Sequence, residues 1–328
     1  MDSDSDDFDM GAHIMRRNMM MRRENKETKF TDYISRFLSN GSNNFNISDA
    51  PVKDELPEIL KTLDNIESFI AMDCNIVNLK NLPQKAKRIV LNNNLIKNIS
   101  SDDIPETVEI LHIACNNIDK LDLSKSVNIK ELLLSKNPLN SEVIFPPNVE
   151  KIVVDQTEIK DTSIFTNLKK LNLLSLKQTN INCIDNLPDT IKQLEISGNT
   201  IKIIKKLPLN IVKLSAIRCE IKEFEFKNFP ESLLMIDVES NDLETIPILP
   251  NVMKFIDISN NRKLSKMENI PEVERFIHND VPLLKFKDDI ERHIPNRMNA
   301  VPSNLLSDNF RPSQISSFKI EHRHICHC

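Results

Sequence analysis

The sequence predicts a β-solenoid, a stack of short parallel strands with a curved sheet on its concave side and mostly irregular or short 3-10 structure on its convex side. Three observations carry this. An inward apolar position recurs at Phe69, Ile89, Leu111, Leu132, Ile152, Leu174, Leu194, Leu214, Ile236, Ile256 and Ile277, every 20 to 22 residues, and in all but the last a second apolar residue follows two later. A proline stands six residues earlier in most units, at Pro83, Pro105, Pro146, Pro188, Pro208, Pro230, Pro250 and Pro271; Ser126 and Leu168 break that series. Five residues after the first aliphatic comes a small polar residue, most often Asn. A fixed period of this length marks a repeat array in which each unit packs only on its neighbours.

Composition agrees. Of 328 residues, 40% are apolar but only 5% are aromatic, and Trp is absent, so the core must be Leu and Ile. The net charge of −5 lacks the basic excess of a general nucleic-acid binder, and no nucleic-acid partner is expected. Gly is scarce, with 3 residues, while Asn, Ile and Lys abound, the bias of AT-rich coding DNA in a parasite, a protist or a large DNA virus. The start, MDSDSDDFDM, lacks the apolar run of a secretory signal, and no stretch approaches 18 apolar residues. With six cysteines in no paired spacing, these features predict an intracellular protein, in the cytoplasm of the host or producing cell, with no membrane span.

Taken in order, residues 1–29 join an acidic run to a basic Met-rich one and read as a disordered tail. Residues 30–65 read as N-terminal helices forming a cap. In the first, Phe30, Tyr33, Ile34, Phe37 and Leu38 fall at helical spacing. A polar loop follows over 39–46. A second helix is expected over 54–63, with Leu56, Ile59, Leu60 and Leu63 on one face and Pro57 in its first turn.

Residues 66–281 form the array of about eleven units. The stretch 187–204, LPDTIKQLEISGNTIKII, shows the division of labour. Leu194 and Ile196 alternate as a strand does, Ile201 and Ile204 return over the same core, and Pro188 favours an extended return. Asn199 sits where the strand ends, and its amide can donate to and accept from backbone groups leaving the ladder. Its equivalents are Asn94, Asn116, Asn137, Asn241 and Asn261, with Cys74, Cys219, Thr157 and Thr179 in the same slot elsewhere. Cys74 and Cys219 are therefore read as structural. Asn279 and Pro282 depart from the pattern at the last unit, and 282–328 are read as a C-terminal cap and tail.

The consensus Leu-Pro-x-x-Ile-x-x-Leu-x-Ile-x-x-Asn-x-Ile-x-x-Ile resembles a leucine-rich repeat. Its Leu-Pro opening and short period are similar to repeats of secreted bacterial effectors, and the composition is similar to uncharacterised repeat proteins of giant DNA viruses. The resemblance implies a fold and leaves function open. Some effectors of this kind carry a large C-terminal ubiquitin-ligase domain with a catalytic Cys; the roughly fifty residues after the array are too few for one, so no catalytic role passes to Cys326 or Cys328.

Candidate function lies between the repeat positions. On the concave face one column reads Ile70, Val90, His112, Leu133, Val153, Ser175, Glu195, Ser215, Asp237, Asp257 and His278, apolar in its first half and acidic in its second. Met72 extends the apolar part. Ile70, Met72, Val90, His112, Leu133, Val153, Glu195, Asp237 and Asp257 are the candidate partner-binding residues, seating an apolar partner surface that the acidic half orients. The competing reading is that β-branched residues simply suit strands. Exchange of Val90 and Val153 for Asp is expected to abolish partner capture and leave the fold intact. His322, His324, Cys326, His327 and Cys328 form a metal-like cluster whose donors suit zinc, although their spacing is too close for a paired finger. No other cofactor is expected. Phosphate loops, nucleophile elbows and zincin helices are missing. The leading reading is a non-enzymatic scaffold binding a protein partner on the concave face. The alternatives are a substrate adaptor whose N-terminal helices recruit a ubiquitin-ligase complex, and a metal-binding enzyme using the His/Cys tail.

Overall fold

The structure is a computed structural model that describes residues 30–50, 52, 55–140 and 142–284. Twelve strands pair in parallel, in sequence order, into one sheet. They are β1 Asn44–Asn46, β2 Ser68–Ile70, β3 Arg88–Val90, β4 Ile110–His112, β5 Glu131–Leu133, β6 Lys151–Val153, β7 Leu173–Ser175, β8 Gln193–Glu195, β9 Lys213–Ser215, β10 Met235–Asp237, β11 Val252–Asp257 and β12 Glu272–Ile277. The register aligns Leu174, Leu194 and Leu214 across neighbouring strands, and each is fully buried. Full burial of one such side chain is worth about 1.5–3 kcal/mol, so every coil adds a similar increment. The return path holds short 3-10 turns and two- or three-stranded ribbons, such as Asn98–Ser100 with Lys120–Asp122 and Val143–Ile144.

The helix expected at the N-terminus is present as α1, Phe30–Asn40. Phe37 packs 4.7 Å from Phe45, which in turn lies 6.2 Å from Phe69, so α1 closes the open end of the core. Leu38, expected on the same face, is 54% exposed.

Three expectations are corrected. Residues 44–46 are not loop but β1, and Phe45 pairs with Phe69; the sheet starts one coil before the first recognised repeat. Polar Asn44 and Asn46 hid a single inward Phe. The expected helix over 54–63 is a five-residue 3-10 turn, Glu58–Thr62. Leu56 and Leu60 are buried, but Ile59 turns outward, because one tight turn has no four-residue stripe. It lies between β1 and β2, as part of the first coil's return. In β12, Phe276, not Ile277, pairs with Ile256 and is buried. Pro271 stands five residues before Phe276 where its counterparts stand six before theirs, and counting from proline shifts the strand by one. Such a slip exchanges faces: Ile277 takes the concave position assigned to His278, and Val281 takes the corner slot.

At each corner, the residue before the slot has left-handed backbone: Asp49, Asp73, Asn93, Cys115, Lys136, Gln156, Gln178, Gly198, Arg218, Ser240, Asn260 and Asp280, with φ from 53° to 73°. Asp, Asn or Gly, the residues that tolerate this backbone best, hold six of the twelve, and Cys, Lys, Gln, Arg and Ser hold the rest, so the position left only a partial signature in the sequence. Its regularity comes from the coil closing on itself. The slot residue then satisfies the groups that the turn frees. Asn94 accepts from the amides of Cys74 and Ile76, at 3.1 and 3.0 Å, and donates to the carbonyls of Ala71 and Leu91, at 2.8 and 3.0 Å. Asn199 and Asn241 bridge their coils in the same way. Asn116, Asn137 and Asn261 also span two coils. The thiols of Cys74 and Cys219 lie 3.2 and 3.1 Å from the carbonyls of Ile47 and Ile196, in place of the Asn donor. Burial raises both, Cys74 to about 11, so neither is a thiolate at neutral pH.

Candidate functional site

Each strand presents three outward side chains to the concave face, one before, one after and three after its inward residue. In β8 these are Gln193, Glu195 and Ser197, beside inward Leu194 and Ile196.

The middle column runs where the sequence placed it as far as Asp257, but its apolar half is less open than expected. Val90 and Val153 are only 5% and 9% exposed, while Ile70, Met72, His112 and Leu133 are half-buried. Neighbouring strands stand about 4.8 Å apart, so the longer Ile70 and His112 flank Val90 on both sides, and Leu133 flanks Val153 on one. The most exposed large apolar residues among those described, Leu209, Val252, Leu38 and Ile144 among them, lie off this column. A Val90 to Asp exchange would therefore put a carboxylate into a covered position, contrary to the expectation that it spares the fold.

From β4 to β9 the concave charges are linked between coils. His112 Nε2 donates to Glu131 Oε1 at 2.9 Å, and Lys151 Nζ reaches the same oxygen at 3.0 Å. The carboxylate only accepts, so Nε2 carries the hydrogen. The His112 hydrogen bond, with Lys151 beside it, pulls the Glu131 carboxyl down to about 2 against the opposing effect of burial. Further along, Lys177 lies 3.4 Å from Asp155 and 3.3 Å from Glu195, and Lys213 lies 2.8 Å from Glu195. Burial works against the charge on Glu195, yet Lys213 and Lys177 leave its carboxyl lowered.

Beyond Lys213 no further concave lysine bridges carboxylates of neighbouring coils among the described residues, although Lys213 attracts Asp237 and Arg275 attracts Asp257. Oxygens of Asp237, Glu239 and Asp257 lie within 4.8 Å of one another. Burial, together with the charges of Asp257 and Glu239, pushes the Asp237 carboxyl up to about 7. Asp257 is also raised, first by burial, although its Oδ1 accepts from the Ser259 amide at 2.9 Å. These three are the acidic group among the described residues whose oxygens could converge on an ion. The cluster His322, His324, Cys326, His327 and Cys328 lies outside the described residues.

A further polar ladder escaped sequence reasoning. Two residues before the slot, side-chain oxygens of Ser48, Asn92, Asp155, Ser197 and Ser259 accept from the equivalent amide of the next coil, that of Met72, Ala114, Lys177, Ile217 and Asn279. The left-handed residue that follows interrupts the backbone ladder, and a short oxygen-bearing side chain replaces it. The preference for Ser, Asn and Asp at this offset was visible, but Lys177 and Ile217 break it in alternate units.

No protein-family model matches the chain, and no curated protein is found to be similar in sequence. Solved structures are similar in fold. YopM from Yersinia enterocolitica WA-314 superposes with a TM-score of 0.57 at 22% identity, over 74% of this chain and 53% of that one. TLR13, solved in complex with ssRNA13, gives 0.50 at 15% identity, over 68% and 38%. YopM from Yersinia pestis, described as a leucine-rich effector protein, gives 0.39 at 20% identity, over 74% and 90%. The chain thus spans about half of the Y. enterocolitica protein. The likeness shows the fold, a leucine-rich repeat solenoid with an N-terminal helix.

Proposed function

We propose that this leucine-rich repeat solenoid is a non-enzymatic scaffold that binds a protein partner on its concave face. One observation carries the reading: the sheet offers a graded surface, half-buried and apolar at Ile70, Met72 and Leu133, ion-paired from Glu131 to Lys213, acidic at Asp237 and Asp257. Inter-coil hydrogen bonds and ion pairs hold the charged side chains from His112 to Lys213 in place, so little ordering entropy is lost there on binding. A partner matched to the gradient meets apolar surface at one end and charge at the other, which sets its orientation. Among the described residues no helix is long and apolar enough to cross a membrane, and Cys74, Cys115, Cys183 and Cys219 are unbridged, which fits an intracellular setting.

Proximity labelling in the native cell, comparing wild type with Met72→Ala/Leu133→Ala, tests this. Both sites are half-buried, so truncation leaves the folded chain in place, as a thermal melt checks. We expect a discrete set of labelled proteins that the double variant loses. An unchanged set defeats the concave-face reading.

A further inference from the structure

A second surface lies along the flank where the strands begin. The residue two before the inward position alternates in charge through the early coils: Glu67, Lys87, Glu109, Lys130 and Glu150. Lys130 pairs with Glu109 at 2.7 Å. The row becomes charged again at Lys254 and Glu274, but between Lys192 and Lys254 it reads Val212 and Leu234. These two are adjacent, the Leu234 amide donating to the Val212 carbonyl at 2.9 Å. Leu209, 63% exposed, precedes them, and Val252, 59% exposed, opens β11. Towards the concave side come Met235 and Phe255, paired in register and both half-buried. Two residues further, about 6.6 Å along each strand, stand Asp237 and Asp257, also paired, and then Glu239. Across the width of β9 to β11 the surface thus passes from aliphatic, exposed at Leu209 and Val252 and half-buried at Val212 and Leu234, to acidic, with Lys254 exposed at the β11 edge.

The charge selects the occupant. Among the described residues Asp237 and Glu239 form no ion pair, whereas every concave carboxylate from Glu131 to Glu195 has a Lys from its own or an adjacent coil within 3.4 Å. An apolar partner would bury Glu239 and Asp237 with Lys213 already held by Glu195, and an acidic one would meet repulsion. A partner with apolar and cationic stripes side by side satisfies both halves.

We propose that the surface over β9 to β11 docks a basic amphipathic segment of a protein partner, with its apolar stripe on Leu209, Val212, Leu234 and Val252 and its Lys or Arg side chains beside Asp237 and Glu239. This rests on the reading of the array as a protein-binding scaffold and adds a location and a partner chemistry.

The test uses the full chain and two synthetic peptides of one helical pattern, Leu/Lys and Leu/Glu, titrated by calorimetry. We expect the Leu/Lys peptide to bind and the Leu/Glu peptide not to bind. Asp237→Asn/Glu239→Gln weakens binding at least tenfold, and Leu209→Ser/Val252→Ser does the same. Glu223→Gln/Glu225→Gln, which removes two charges from the return side, leaves it unchanged. Equal binding of both peptides, no binding of the Leu/Lys peptide, or binding that survives either site variant overturns the proposal. A dimer dispersed by Leu209→Ser/Val252→Ser without peptide binding overturns it in favour of a second copy of the chain. Calcium binding that Asp237→Asn/Glu239→Gln abolishes, with no binding of the Leu/Lys peptide, overturns it in favour of a cation site. If these experiments fail while Met72→Ala/Leu133→Ala still releases a cellular partner, the scaffold reading stands and only this inference falls.

Discussion

At the scale of single residues, the corner decides most. Asn199 accepts from the Thr179 and Ile181 amides and donates to the Leu176 and Ile196 carbonyls, all buried. Truncation to Ala strands groups of two coils, and a buried unsatisfied group costs about 1–3 kcal/mol. Asn199→Ala is expected to lose about 2–4 kcal/mol in urea denaturation; a loss below that range would show that the slot is replaceable. The left-handed residue before the slot makes a separate demand. Lys136 has φ of 56°. Lys136→Gly removes a steric cost of about 1–2 kcal/mol and incurs part of it again as chain entropy, so a small gain is expected. Lys136→Val should lose stability in the same assay. Ser126 stands where most units have proline, and its hydroxyl oxygen is buried with no hydrogen-bond partner among the described residues. Ser126→Ala should be neutral or stabilising, by up to about 2 kcal/mol.

At the scale of the sheet, two carboxyl groups on one face, five strands apart, respond to pH in opposite senses. Glu131 titrates at about 2 in the fold, below the ordinary value. Its charge stabilises the fold fully above the ordinary value, and this is lost as pH falls towards 2. Asp237 titrates at about 7, above the ordinary value. The fold keeps that proton when the unfolded chain has released it, so stability falls as pH rises from about 4 to 7. Asp237→Asn carries no titrating group, so its stability relative to wild type should rise across that window and level off above it. Glu131→Gln should instead fall behind wild type most at neutral pH and least near pH 2. Urea midpoints at several pH values read both, and parallel curves for wild type and Asp237→Asn would refute the first.

At the scale of the whole array, stability is a sum of coils and their interfaces. A variant near one end should therefore act locally. Asn261 joins the coil of β11 to that of β10 through the Leu243 amide and the Val238 carbonyl. Asn261→Ala is expected to lower hydrogen-exchange protection over residues 238–284 first, while protection in β4 to β6 persists. Asn137→Ala, in the middle, should lower protection on both sides of β5. Uniform loss in both variants would mean that the array unfolds as one unit.

The repeat period, the aliphatic core and the slot held by Asn94, Asn116, Asn137, Asn199, Asn241 and Asn261 were legible in the chain, because each rests on a side-chain type that one position demands. The strand at Asn44–Asn46 was not, since a single inward Phe in a three-residue strand gives no alternation to count. The last strand was misplaced by one residue, because proline spacing varies where hydrogen-bonded register does not. The left-handed corners were only half legible for a related reason: Asp, Asn or Gly marks six of the twelve, but the backbone is imposed by closure of the coil, and residues as different as Lys136, Gln156 and Arg218 also adopt it. The concave column was legible as an order of residues, but its chemistry was not. Burial of Val90, the Lys177 bridge between Asp155 and Glu195, and the raised carboxyl of Asp237 all arise between coils 20 to 22 residues apart. Sequence determined which residues each coil turns inward. Only the stacking of coils decided which outward residues meet, because burial and charge pairing are properties of neighbours in space.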